Sequence, residues 1–220
     1  MEETFNPNTS EMPRNREIRS AAKATLSGRW LNPVLCTLVF FIVNSVCSAF
    51  TSVGSTPDNP NVVFETIGMA LVLLIGGPLG FGYNVAFLRH VRGEEDDDLV
   101  TRPFQAFNQY GRYLGTSLLL IVFTFVWTLL FIVPGIIKAY SYAMTPYIMH
   151  DNPELSPREC IRRSQQMMKG YKWKLFLLDL GFIGHILLCI VTLGIYLLWL
   201  EPWMDCSHVK FYEELKARAK

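Results

Sequence analysis

Apolar residues in this chain gather into long runs separated by short polar stretches. Two runs, Pro33 to Val53 and Val62 to Leu88, each suit one membrane-crossing helix. Two others, Leu114 to Ile148 and Leu175 to Leu200, are too long for one crossing. An apolar layer about 30 Å thick is spanned by about 20 residues at about 1.5 Å each. Each long run therefore folds as a hairpin, and turn signals stand where hairpins need them. These are Pro134-Gly135 in the first and Thr192-Leu193-Gly194 in the second, whose return helix continues through Pro202 towards Tyr212. The pattern predicts an all-α fold, a polytopic transmembrane helical bundle of about six spans arranged as three hairpins. The spans fall at about 33–53, 62–88, 114–133, 135–149, 175–191 and 194–212. They form a single transmembrane domain (14–212) between a disordered cytoplasmic tail (1–13) and a short cytoplasmic tail (213–220).

Charge orients the spans. With the amino terminus in the cytoplasm, nineteen of the twenty Lys and Arg residues fall on the cytoplasmic side, leaving only Lys138. Crossing each long run once, as a four-helix chain would, exports the six cations between Arg158 and Lys174. The six-span reading is kept for that reason, with both termini cytoplasmic. The polar first 32 residues and the length of the first apolar run exclude a secretory signal peptide, so that run stays as a membrane helix. The five cysteines are scattered, with no CxxC pair or zinc spacing, and read as free thiols.

A short signature precedes each proposed hairpin: SGRWLN at Ser27–Asn32, YGRYLG at Tyr110–Gly115 and GYKWKL at Gly170–Leu175. A cation beside an aromatic ring suits the membrane interface, which makes Arg29, Trp30, Arg112, Tyr113, Lys172 and Trp173 candidate anchors. Upstream of each signature lies an amphipathic segment. In the third, Ser156-Pro157-Arg158-Glu159 reads as a capping box with proline at the first helical position. Cys160, Ile161, Ser164, Met167, Met168 and Tyr171 then share one face. Ile18, Ala21, Ala22, Thr25 and Leu26 do so in the first segment, and Phe104, Phe107, Gly111 and Leu114 in the second. These read as interfacial helices on an anionic cytoplasmic leaflet, serving as anchors or as lipid sensors. The acidic run Glu94 to Asp98 reads as a solvated loop tip.

The glycine cluster LLIGGPLGFGYN, Leu73 to Asn84, is not a phosphate loop, because it lacks the Lys-Ser/Thr of that motif and no strand precedes it. Gly76 and Gly80 form a small-xxx-small pair for close helix packing, Pro78 adds a kink, and Gly77 and Gly82 complete this candidate kink or packing site. The alternative is a broken helix lining a substrate cavity. Ionisable residues inside spans are costly and point to function by default. Lys138, Asp179, His185 and Glu201 form the candidate intramembrane polar site, with Glu65 nearer the outer surface. Tying helices together by hydrogen bonds is the competing role. No HExxH, GxSxG or paired-aspartate signature occurs, so no catalytic residue, metal site or cofactor is expected. The basic residues track the membrane surface and suggest no nucleic-acid partner.

Gly77-Pro78-Leu79, Arg92-Gly93-Glu94, Pro134-Gly135-Ile136-Ile137-Lys138, Asp151-Asn152-Pro153, Met168-Lys169-Gly170 and Phe176-Leu177-Leu178-Asp179-Leu180 together resemble a bacterial family of integral membrane proteins known as domain of unknown function 975. The resemblance covers nearly the whole chain after Arg14. It implies a multi-helix protein of the bacterial plasma membrane and carries no assigned activity. The expectation is a non-enzymatic protein with membrane lipids as partners. It would bind or move a lipid or other amphiphile, or else act as a scaffold with a membrane-protein partner.

Overall fold

A computed structural model describes residues 12–53, 61–94 and 99–218. Among them the chain is helical throughout, with no strand. The proposed tail up to residue 11 and residues 95–98 of the acidic run lie outside the described residues.

Helix α1 (Asn15–Leu26) precedes α2 (Leu31–Ala49) and α3 (Val62–Leu71), which runs through a π-helical turn, Val72–Gly76, into α4 (Gly77–Val91). A 3₁₀ segment, Arg102–Gln109, leads into α5 (Tyr110–Leu130), and α6 (Ile132–Tyr142) and α7 (Thr145–Asp151) follow. Then come α8 (Pro157–Met167), α9 (Lys172–Leu180), α10 (Ile183–Val191) and α11 (Leu197–Arg218). Four helical stretches are long and apolar enough to cross a membrane among the described residues: Leu31–Ser52, Val62–Val91, Arg102–Leu129 and Lys172–Val191.

The breaks have local causes. Phe131 is extended between α5 and α6, and α6 packs back along α5. Pro134 sits in the first turn of α6, where a missing N–H costs nothing, so the reversal comes three residues before the expected Pro134-Gly135. The expected turn at Thr192-Leu193-Gly194 is present, with left-handed backbone at Leu193 (φ 50) and Gly194 (φ 87). The long run there is also interrupted at Gly181-Phe182, dividing α9 from α10. The capping box forms as read: Ser156 N donates to Glu159 Oε2 (3.0 Å) and Glu159 N to Ser156 Oγ (3.4 Å).

The π-helical turn answers Pro78. A proline inside a helix lacks one donor and crowds the carbonyl four residues back, and a π turn relieves the crowding. That carbonyl belongs to Leu74, and the Tyr110 hydroxyl donates to it at 3.1 Å, so the lost backbone bond is replaced from the third long helix.

The molecule has two unlike halves. At one end Ile18, Leu26, Phe87, Leu99, Met149 and Tyr212 belong to a buried core. At the other, large apolar side chains stand in the open, among them Leu129 (76%), Val191 (79%) and Leu193 (93%). A folded chain leaves so much apolar surface bare only where something apolar covers it, which fits a membrane protein. α11 packs on α1, α2, α4, α9 and α10. It continues to Arg218, with Glu214 and Leu215 buried, past the point where a tail was expected. Ile18, Ala22 and Leu26 of α1 are fully buried, in a helix seated on α11, and Cys160 and Ile161 of α8 are covered by the protein. The apolar faces of α1 and α8 are thus spent on the protein itself, whereas in the second segment Phe104 stays exposed.

Candidate functional site

The glycine cluster borders two cavities. An apolar hollow of about 460 Å³ lies beside Gly76 and Gly77, lined also by Asn44, Met69, Leu73 and Ile121. A smaller pocket of about 210 Å³ opens beside Gly82, lined by Arg89, Arg102, Gln105, Asn108, Gln109 and His150 among others. Gly77 and Gly82 are five residues apart on α4, or about 8 Å along its axis. The third long helix contributes to both cavities, through Ile121 to the first and Tyr113 to the second.

The glycines divide their work differently from the expected pair. A Cβ built on Gly80 meets open space. One on Gly82 would collide with the Pro103 backbone carbonyl, and one on Gly77 would lie 2.7 Å from Ser117 Oγ. Gly76 faces the Asn44 side chain. Gly76, Gly77 and Gly82 are thus points of close approach and Gly80 is not, and the 3₁₀ segment can lie on α4 because position 82 carries no side chain.

The polar pocket brings together side chains from three segments. Arg89 donates to Glu94 (2.7 Å) and to Gln105 Oε1 (3.2 Å), while Arg102 is buried to 9% exposure. Arginine's forked donors beside side-chain amides suit an oxyanion such as a phosphate or carboxylate. These residues were not singled out from the sequence, because Arg89 and Arg102 counted there only as cytoplasmic charges.

The four residues of the expected polar site do not converge. Lys138 lies 4.5 Å over the Trp127 ring. His185 stands edge-on to Trp203 (5.0 Å) and parallel to Tyr196. Asp179 accepts from Tyr140 Oη (2.9 Å) and faces His208 Nε2 (2.6 Å). Glu201 lies on α11 one turn before Asp205 and two turns before His208. Asp179 and Glu201 thus border one polar face, whereas Lys138 stands apart. Asp205, His208 and Tyr140 were missed, although Glu201, Asp205, His208 and Tyr212 follow at intervals of four, three and four.

Of the six interface anchors, Arg29 and Trp173 are exposed, and Trp30 and Lys172 are half-buried. Tyr113 is buried against Phe81, and Arg112 turns inward. Arg112 Nη2 donates to the carbonyls of Met149 (3.2 Å), Asn152 (2.9 Å) and Leu155 (3.1 Å). Helix ends leave carbonyls without intrahelical donors, and here one guanidinium collects them after α7. Arg112→Gln should lower stability by about 2 kcal/mol in thermal unfolding, and Arg112→Lys should recover only part of it, because an ammonium lacks the fork. Equal melting of Arg112→Lys and the parent would refute this.

A charged cluster closes the same end. Arg92 grips Asp151 with both terminal nitrogens (2.7 and 2.8 Å) and reaches Glu213 through Nε (2.8 Å). Lys216 Nζ (2.6 Å) and Tyr212 Oη (2.8 Å) also donate to Asp151. Burial works against the Asp151 charge, but the hydrogen bonds from Arg92, Lys216 and Tyr212 outweigh it and hold the carboxyl below its ordinary range.

The family model described as protein of unknown function (DUF975) matches residues 12–141 and 121–219. No curated protein matches the chain, and no solved structure does.

Proposed function

The chain belongs to the DUF975 family of proteins of unknown function, and on that premise we propose a multi-pass membrane protein that binds and moves an amphiphile with an anionic head group. The carrying observation is the succession, along α4, of an apolar hollow at Gly76–Gly77 and an arginine- and amide-lined pocket at Gly82. A tail would take the hollow and an oxyanion would meet Arg89 and Arg102. In this reading α6 with α7, and α11, supply the return crossings, giving six spans in a bacterial plasma membrane with both termini in the cytoplasm. The polar pocket then lies at the cytoplasmic interface, where the lysines and arginines gather. No step of the reading requires catalysis.

The test is native mass spectrometry of the protein in nanodiscs containing phosphatidylglycerol and phosphatidylcholine. The Arg89→Gln/Arg102→Gln protein should retain the anionic species about tenfold less than the parent, while eluting as the same single species. Undiminished retention in that variant would overturn the assignment of the pocket. A stoichiometric protein partner accompanied by bulk lipid alone would overturn the amphiphile reading in favour of a scaffold.

A further inference from the structure

The buried side of α11 carries more acid than base. Glu201, Asp205 and His208 share one face of the helix, and Asp179 of α9 stands 2.6 Å from His208 Nε2. Tyr83 of α4 bonds the Asp205 carboxylate and lies 2.8 Å from Thr37 of α2. The other Asp205 oxygen, Oδ2, is shut off from solvent and meets no hydrogen-bond partner. Asp179 thus meets the imidazole directly, with Asp205 about one turn and Glu201 two turns before it on α11.

The nearby cations are engaged elsewhere. Arg19 of α1 donates to the Gly181 carbonyl and lies 5.4 Å over the Phe182 ring, and Lys23 lies 5.3 Å over Trp203. Lys210, on α11 itself, has Cys206 and Glu213 among its charge neighbours. The other titratable groups around this face are Cys36 of α2, Tyr83 of α4, Tyr140 of α6 and His185 of α10. A cysteine and two tyrosines are neutral in their ordinary ranges and offset nothing. His185 is turned to Trp203 and Tyr196.

Two half-buried carboxylates one turn apart, one of them with an oxygen shut off from solvent and unbonded, do not both stay ionised. The ligand that restores balance must be small, and no cluster of three or more His, Cys, Asp or Glu side chains arranged to hold a metal ion occurs among the described residues. We propose that this face of α11 is a proton-binding site, in which Glu201 and Asp205 hold a proton that exchanges with the His208–Asp179 pair. A proton on a carboxylate oxygen makes a neutral acid. Its transfer to the imidazole restores the carboxylate and forms an imidazolium beside Asp179, so charge is conserved and no electron moves. This site shares no residue with the amphiphile pocket and does not rest on that reading.

The test is infrared difference spectroscopy of the full chain in nanodiscs, titrated with acid and base. The parent protein should show the carbonyl stretch of a protonated carboxylic acid at neutral pH. That band should weaken in Glu201→Gln and in Asp205→Asn, vanish in the double variant, and ignore sodium at constant ionic strength. No such band in the parent protein would overturn the proposal without relying on any variant. So would a band that persists in the double variant, or one that sodium abolishes, which would mark a metal-cation site instead.

Discussion

Asp151→Ala is expected to destabilise the protein by about 3 kcal/mol, a large share of the roughly 5–15 kcal/mol that holds a typical domain folded. The carboxylate is 8% exposed and neutralises two cations from different parts of the chain, Arg92 and Lys216. Removing it takes the shared carboxylate from between Arg92 and Lys216, leaves Arg92 only Glu213, and orphans the Tyr212 hydroxyl. The lower end of the range for breaking a buried pair applies, because Arg92 (24%) and Lys216 (37%) retain some contact with water. Glu94→Gln breaks an exposed pair with Arg89 and should change stability by about 0–1 kcal/mol. Thermal unfolding in nanodiscs separates the two variants, and equal melting would refute the account of Asp151.

The same carboxylate sets an acid limit. Its folded-state value is depressed, so its stabilisation is complete above the ordinary aspartate value of about 3.9 and is lost as pH falls through the depressed one. The parent protein should therefore melt progressively lower in that acid window, and Asp151→Asn should lose most of this dependence. A parent and variant with parallel acid profiles would assign the acid limit to other groups.

Gly82→Ala should cost about 2 kcal/mol and abolish retention of the anionic amphiphile, whereas Gly80→Ala should be neutral or stabilising by up to about 1 kcal/mol. The added methyl at position 82 meets the Pro103 backbone, which cannot swing aside as a side chain would. The 3₁₀ segment must move off α4, taking Arg102, Gln105 and Gln109 away from Arg89. At position 80 the methyl enters open space and only improves helix propensity. If Gly80→Ala were the more damaging change, the small-residue pair read from the sequence would be restored and the account of Gly82 lost.

Features encoded by neighbours along the chain were legible in the sequence. The apolar runs marked where helices form, since desolvation acts on consecutive residues. Ser156 and Glu159 marked a helix start, because a capping box is completed within four residues. The turn at Leu193-Gly194 was equally local. Asp179 and Glu201 stood out because a charge in an apolar run is conspicuous whatever it contacts. The same contrast failed for Asp205 and His208, whose surroundings on α11 are already polar.

Tertiary structure decided which faces meet. It turned Arg112 and Tyr113 inward, set the apolar faces of α1 and α8 against protein, and chose Gly82 over Gly80 as the point of close approach. It also joined Arg92 to Asp151 and Glu213, residues far apart in the chain. A residue's identity and its immediate neighbours determine its hydropathy, capping and turn preferences. The rotation and depth at which one helix meets another are fixed by packing summed over many distant side chains, and that rotation is what makes a pocket of Arg89, Arg102 and His150.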